Sequence, residues 1–167
     1  MQPRTFAVVS VLLSALAGAL PALAATEESG LPLPRFVSLR AAEANMRTGP
    51  GEQYPIKWTY QRPGLPLEVV REYHHWRRVR DWQGSEGWMH SSMLSGKRAV
   101  MVVGATRTLR EGPDAASAAV ARVEAPAVGR LLTCAKVSDW CRIEVVDVKG
   151  WLRRSEMWGV YETEIIE

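Results

Sequence analysis

The sequence predicts an all-β protein, built as two small barrel- or sandwich-like units in tandem behind a signal peptide. Three observations carry that expectation. Of its 167 residues, 47% are apolar and 23% charged, which is enough hydrophobic side chain for a core and too much for a disordered chain. Most of the chain repeats itself at an offset of 63 or 64 residues, and a repeat of that length marks a duplicated structural unit. Within each unit turn residues recur every several positions, and no long window holds helical periodicity.

The N-terminal segment stands apart. Arg4 precedes a run from Phe6 to Leu20 that only Ser10 and Ser14 interrupt, and Pro21 leads into Ala22-Leu23-Ala24. A basic start, a short apolar stretch and a small-x-small site together form a secretory signal. Residues 1–24 are therefore expected to be removed after Ala24, leaving a periplasmic or secreted protein. The apolar stretch falls short of the roughly 20 residues a spanning helix needs, and no second apolar run of that length follows. The mature chain is thus expected to hold no stable membrane span. Residues 25–35, with Glu27, Glu28, Gly30, Pro32 and Pro34, read as a flexible linker.

The repeat rests on three landmarks in the same order. Asn45-Met46-Arg47-Thr48-Gly49-Pro50 matches Thr108-Leu109-Arg110-Glu111-Gly112-Pro113; Trp76-Arg77-Arg78-Val79 matches Trp140-Cys141-Arg142-Ile143; and Gly87-Trp88-Met89 matches Gly150-Trp151-Leu152. The units span 36–94 and 99–158, joined by the polar residues 95–98, with 159–167 as a C-terminal tail.

Each unit divides into short strands. In the first these are 36–39, 56–60, 67–73, 76–82 and a short strand at Trp88; in the second, 100–103, 119–123, 130–137, 140–146 and a short strand at Trp151. The Arg-x-Gly-Pro stretches interrupt them, since proline lacks the N–H a ladder needs and glycine favours turns. Turns are expected at His74-His75, at Ser138-Asp139, at 83–87 and at 147–150. The Ala-rich stretch 114–120 resembles helix locally, but its counterpart in the first unit does not.

The order Met-Arg-x-Gly-Pro, Trp-Arg-x-Val, Gly-Trp-Met resembles the bacterial SH3-like domain, present here as a tandem pair. The resemblance implies two small SH3-like five-stranded barrels. It also implies an exported, non-catalytic binding or targeting module, often directed at cell-wall polymers. Unit two has Asp114 after Pro113 where unit one has Gly51, and Leu109 where unit one has Met46.

The motif residues also have a reading of their own. Met46 and Leu109 read as core plugs; Gly49 and Gly112 give backbone freedom, and Pro50 and Pro113 pre-set turns. Arg47 and Arg110 belong to the same structural motif, as does Trp140. Trp88 and Trp151 are expected to pack across the barrels, since large aromatics dominate burial in small domains.

Cys134 and Cys141 are the two cysteines of the chain. A hairpin turning at Val137-Ser138 would place 136 opposite 139, 135 opposite 140 and 134 opposite 141, within disulfide reach. In an oxidising compartment that bond is expected to form. A metal site is not expected, because two thiolates without a histidine in the same unit leave the coordination sphere incomplete. His74 and His75 are adjacent on a hairpin tip, so they point apart. No Gly-x-Ser-x-Gly, P-loop or dinucleotide fingerprint is present. Neither catalysis nor a cofactor is expected.

Function is then expected on the surface. Tyr73, His74, Trp76, Arg77, Arg78, Arg80 and Trp82 gather around the unit-one hairpin as candidate ligand-binding residues, with Arg71 nearby. Arginine forks bind carboxylate, and aromatic faces stack on sugars or cations. The net charge of +3 is far below that of a dedicated nucleic-acid protein. The expected partner is a cell-wall polymer, anionic and peptidoglycan-like, or an extended peptide. The alternative is an envelope protein, with the chain as an assembly subunit.

Overall fold

The structure is a computed structural model and describes residues 28–135 and 138–167. The expected signal segment lies outside the described residues. Two seven-stranded antiparallel sheets follow one another along the chain, each curled on itself. The first holds β1 (Arg35–Leu39), β2 (Ala44–Arg47), β3 (Ile56–Tyr60), β4 (Pro66–Tyr73), β5 (Trp76–Arg80), β6 (Glu86–His90) and β7 (Leu94–Ser95). The second holds β8 (Ala99–Val102), β9 (Arg107–Arg110), β10 (Ala119–Val123), β11 (Val128–Cys134), β12 (Trp140–Val145), β13 (Val148–Arg153) and β14 (Met157–Trp158). The strand orders, β3-β2-β6-β5-β4-β1-β7 and β10-β9-β13-β12-β11-β8-β14, are the same order shifted by one unit. No helix among the described residues is long and apolar enough to cross a membrane.

Seven strand segments replace the expected five for two reasons. The residues just before Thr48-Gly49-Pro50 and Glu111-Gly112-Pro113 themselves form β2 and β9, and a single 3₁₀ turn returns the chain into the two-residue β7 and β14. The second late turn also differs from expectation. It lies at Val146-Asp147, both with positive φ (46° and 65°), and β13 resumes at Val148. The cue at 147–150 misled because Gly150 serves packing rather than turning, as shown below.

Bulges recur at corresponding places, between Val69 and Arg71 in β4 and between Leu131 and Thr133 in β11. A bulge adds twist and bends its strand, which is what curls a short sheet into a barrel. Inside barrel one lie Met46, Leu67, Val69, Val79 and Met89, and inside barrel two Val100, Leu109, Ile143 and Leu152, all fully buried. Met101, from the first strand of barrel two, belongs to the core of barrel one. Cys134 and Cys141 face one another across β11 and β12, with Cα atoms 4.4 Å apart, and are bonded. Lys136 and Val137, at the expected hairpin tip, lie outside the described residues.

Trp88 and Trp151 do not pack across the barrels. Strand residues alternate between faces: Gly87 and Met89 point inward, as do Gly150 and Leu152, so each tryptophan between them faces outward and is half-buried.

The first described residues and the C-terminal tail are both held. The segment expected to be a flexible linker is pinned at Ser29, whose amide and hydroxyl both donate to Glu72 of β4 (2.6 and 2.7 Å). At the other end Ile166 pairs with Cys134 through two backbone hydrogen bonds (2.8 and 3.1 Å). The buried Arg154 guanidinium donates to the carbonyls of Ala135, Ser138 and Tyr161, tying the tail to the disulfide hairpin.

Candidate functional site

The duplicated residues divide by face. Those pointing inward make the core. Those pointing outward lie, on each barrel, in a row across four strands. In barrel one Arg47 of β2 lies opposite Trp88 of β6, which lies opposite Arg78 of β5, which lies opposite Arg71 of β4. In barrel two Arg110 lies opposite Trp151, then Arg142, then Thr133. An indole flanked by guanidinium groups on neighbouring strands is thus built twice, in the same register.

The two inner arginines also hold the fold. Arg47 donates to the carbonyls of Glu52 and Tyr54 (3.0 and 2.8 Å), and Arg110 donates to the carbonyl of Ser117 (2.7 Å). Each fastens the loop that carries its own Gly-Pro. Arg78 and Arg142 are exposed at the outer side of the row. Arg78 pairs with Glu86 (2.8 Å), and Arg80 bonds the same carboxylate, which it holds below the usual carboxylate range. Arg71 stands directly opposite Arg78, a like-charged pair that an antiparallel sheet does not favour.

Beside each row lies a groove. In barrel one it occupies about 290 Å³ and is lined by Glu43, Asn45, Arg47, Glu52, Trp76 and His90. In barrel two it occupies about 240 Å³ and is lined by Thr106, Arg107, Arg110, Trp140, Arg153 and Glu156. The linings correspond position by position along the repeat, with Trp76 and Trp140 each forming one wall. Trp76 meets the His90 ring edge-on at 5.5 Å, whereas Trp140 carries the Arg153 guanidinium over its ring at 5.1 Å. His90 is not simply solvated: its Nδ1 accepts from the Ser92 amide and caps the 3₁₀ turn that follows.

The residues expected to gather around the unit-one hairpin are split by this arrangement. Tyr73, Trp76 and Arg78 share the outward face, and Tyr73 stacks edge-on with His74 (4.5 Å) at the turn. Arg77 lies on the other face, opposite Met89. It pairs with the buried Glu72 (3.0 Å) and donates to the carbonyls of His74 and Trp76. Glu72 also takes Arg35 and Ser29. Burial alone would raise its carboxyl, yet the Ser29 and Arg35 bonds bring it down to about 2. Arg80 is engaged with Glu68 (3.1 Å) as well as Glu86. Trp82 sits at the far end of the hairpin, packed on the barrel-one core. Arg77 and Trp82 thus both make contacts that hold the scaffold.

Sequence reasoning missed the grooves and the outward row in barrel two. Their signal was present in the repeat itself: Arg47 with Trp76 and Arg110 with Trp140 are duplicated together. Among the described residues no three His, Cys, Asp or Glu side chains come together in a way that would hold a metal ion.

Among curated proteins no sequence matches. Two solved structures, NlpC1 and NlpC2 from Trichomonas vaginalis, share 11% identity each, with TM-scores of 0.35 and 0.34. The similarity covers 79% and 75% of this chain but 48% of each of those chains, so the chain spans less than half their length. The family described as bacterial SH3 domain matches twice, over residues 40–96 and 103–159, more than half of the chain. The chain belongs to the bacterial SH3 domain family and carries that domain as a tandem pair.

Proposed function

We propose that this chain is a non-catalytic, exported binding module that docks an anionic, peptidoglycan-like cell-wall polymer along the Arg-Trp-Arg rows and their adjoining grooves. Bacterial SH3 domains typically serve as cell-wall binding modules. The observation that carries the reading is the outward duplication. Met46, Gly87 and Met89, like Leu109, Gly150 and Leu152, recur because the core requires them. Core packing makes no such demand on Trp88, Arg78 and Trp76 or on Trp151, Arg142 and Trp140, which stand half-exposed or exposed on the opposite face. Indole faces offer stacking area for sugar rings and peptide planes, and guanidinium forks offer paired donors to carboxylates.

Purified sacculi test the reading. The chain should sediment with them, and added salt should weaken the association as it screens exposed charge. Replacing Trp88 and Trp151 with Ala should reduce the bound fraction at least five-fold while the chain stays folded. A chain that ignores sacculi and instead captures an envelope protein would favour the assembly-subunit reading and overturn this one.

A further inference from the structure

The two grooves occupy equivalent places yet carry opposite charge. In barrel one Arg47 is the single cationic side chain, facing Glu43 and Glu52. In barrel two Arg107, Arg110 and Arg153 face one carboxylate, Glu156. The difference arises at corresponding positions of the repeat: Glu43 gives way to Thr106, Ala44 to Arg107, Glu52 to Ala115 and His90 to Arg153, while Met93 gives way to Glu156. The duplicated Arg and Trp are kept, while the loss of two carboxylates and the gain of two guanidinium groups around them turn the groove from net acidic to net basic.

The cations of groove two also retain capacity. Glu156 engages Arg107 at 3.5 Å, a loose contact, and its other oxygen accepts from the Arg153 amide. The Arg153 guanidinium lies over Trp140 and has no carboxylate partner among the described residues. Arg110 spends one nitrogen on the Ser117 carbonyl. Two guanidinium groups beside an indole wall form a receptor for a carboxylate, because charge-assisted forks bind that group bidentately. In groove one the exposed Glu52 and Glu43 stand beside Trp76, and a carboxylate plus an aromatic face suits an ammonium group.

We propose that the grooves have diverged into complementary subsites: groove two takes a carboxylate-bearing segment of the ligand, and groove one takes an ammonium-bearing segment. The inference rests on the binding-module reading above and adds which chemistry each barrel recognises. A ligand bearing both groups, such as a peptide-substituted polymer, would then be bound in one direction along the tandem.

Two small probes separate the subsites: N-acetylated trialanine with a free carboxylate, and trialanine amide with a free amine. The indole N–H signals of Trp76 and Trp140, assigned by Trp→Phe substitution in the full chain, report on each groove. The carboxylate probe should move the Trp140 signal and leave Trp76 in place; the amine probe should do the reverse. Arg153→Glu should weaken the carboxylate response at least ten-fold, and Arg153→Gln should weaken it by a smaller factor. Arg122→Glu, an equal charge change on β10 outside both grooves, should leave it unchanged. Glu52→Lys should bring the carboxylate probe into groove one. Equal responses at both indoles would overturn the proposal. So would a carboxylate response centred on Trp88, or an Arg122→Glu loss matching that of Arg153→Glu. Sacculi keep the two readings apart. Probe selectivity without sacculus binding would sink the cell-wall reading alone, and sacculus binding without probe selectivity would sink only the divergence.

Discussion

A methyl group added to Gly87 would lie 2.6 Å from Met46 Cγ and 2.7 Å from the Arg47 carbonyl oxygen; at Gly150 it would lie 2.9 Å from Leu109 Cβ and 3.2 Å from the Arg110 oxygen. The glycine of each Gly-Trp motif is thus the residue against which the apolar plug of the Arg-x-Gly-Pro motif closes. Two landmarks far apart in sequence are a single contact in space, which is why they recur together. Gly87→Ala and Gly150→Ala should each cost about 1–3 kcal/mol by overpacking, read as a lowered urea midpoint with unchanged slope; variants as stable as the parent would refute the close approach. Glu72 makes a second residue-level prediction. Its carboxyl is held at about 2, below its ordinary value, so it contributes stability that is present above the ordinary carboxylate range and lost as pH falls toward 2. Glu72→Gln leaves Arg35 and Arg77 facing a neutral group and should cost about 3 kcal/mol at pH 7. That deficit should shrink steadily between pH 5 and pH 2, and a deficit constant across the range would show that charge is not what Glu72 supplies.

At the level of elements, the fold was legible because duplication supplies a second measurement of every strand. The sequence reads 56–60 as β3 and 119–123 as β10 to the residue, and the Ala-rich 114–120 stretch forms turns leading into β10 rather than a helix, as the repeat leads one to expect. The binding face was harder to read for a physical reason. Whether Trp88 faces in or out depends on whether Gly87 or Trp88 itself lies on the Met46 side, and that is a matter of one-residue register between β2 and β6, strands separated by most of the unit. Likewise, nothing local in Trp76-Arg77-Arg78 says that Arg77 turns toward a buried Glu72 while Arg78 turns to solvent; the β4–β5 register decides it. The Cys134–Cys141 pairing was accessible because it needs only one hairpin, whose partners are near in sequence. Closing so short a loop should stabilise barrel two by about 2.5 kcal/mol through loop entropy. Reduction should speed backbone amide exchange in β11 and β12 more than in β4 and β5, because the bond restrains opening of its own hairpin. An equal effect on both barrels would mean that the bond does not act locally.

The largest scale concerns how two barrels with marginal cores become one body. A unit of about 60 residues buries a modest share of its surface, and three features here join the pair. Met101 of β8 enters the core of barrel one. Phe36 of β1 packs edge-on against Trp158 of β14 (5.1 Å) and at a 39° tilt against Tyr161 (4.6 Å) from beyond barrel two. The Tyr161 hydroxyl donates to the buried Glu68 of β4 (2.9 Å), a carboxylate that also holds Arg80, while Arg98 of the connector pairs with Glu164. Burial, with Glu68 as its acceptor, pushes the Tyr161 hydroxyl above its usual range, so it stays protonated and the donor is kept. The tail therefore belongs to the interface between barrels. Tyr161→Phe keeps the ring and removes one hydrogen bond, and should cost about 1 kcal/mol. Tyr161→Ala also removes the contact with Phe36, for about 1 kcal/mol more from the aromatic pair alone. If the tail couples the barrels, calorimetry of the parent should show one transition, and Tyr161→Ala should split it into two, with the disulfide-linked barrel melting last. A single unaltered transition in Tyr161→Ala would place the coupling on Met101 and the connector instead. The split would also bear on function, because a ligand reaching from groove one to groove two binds best when the distance between the grooves is fixed before it arrives.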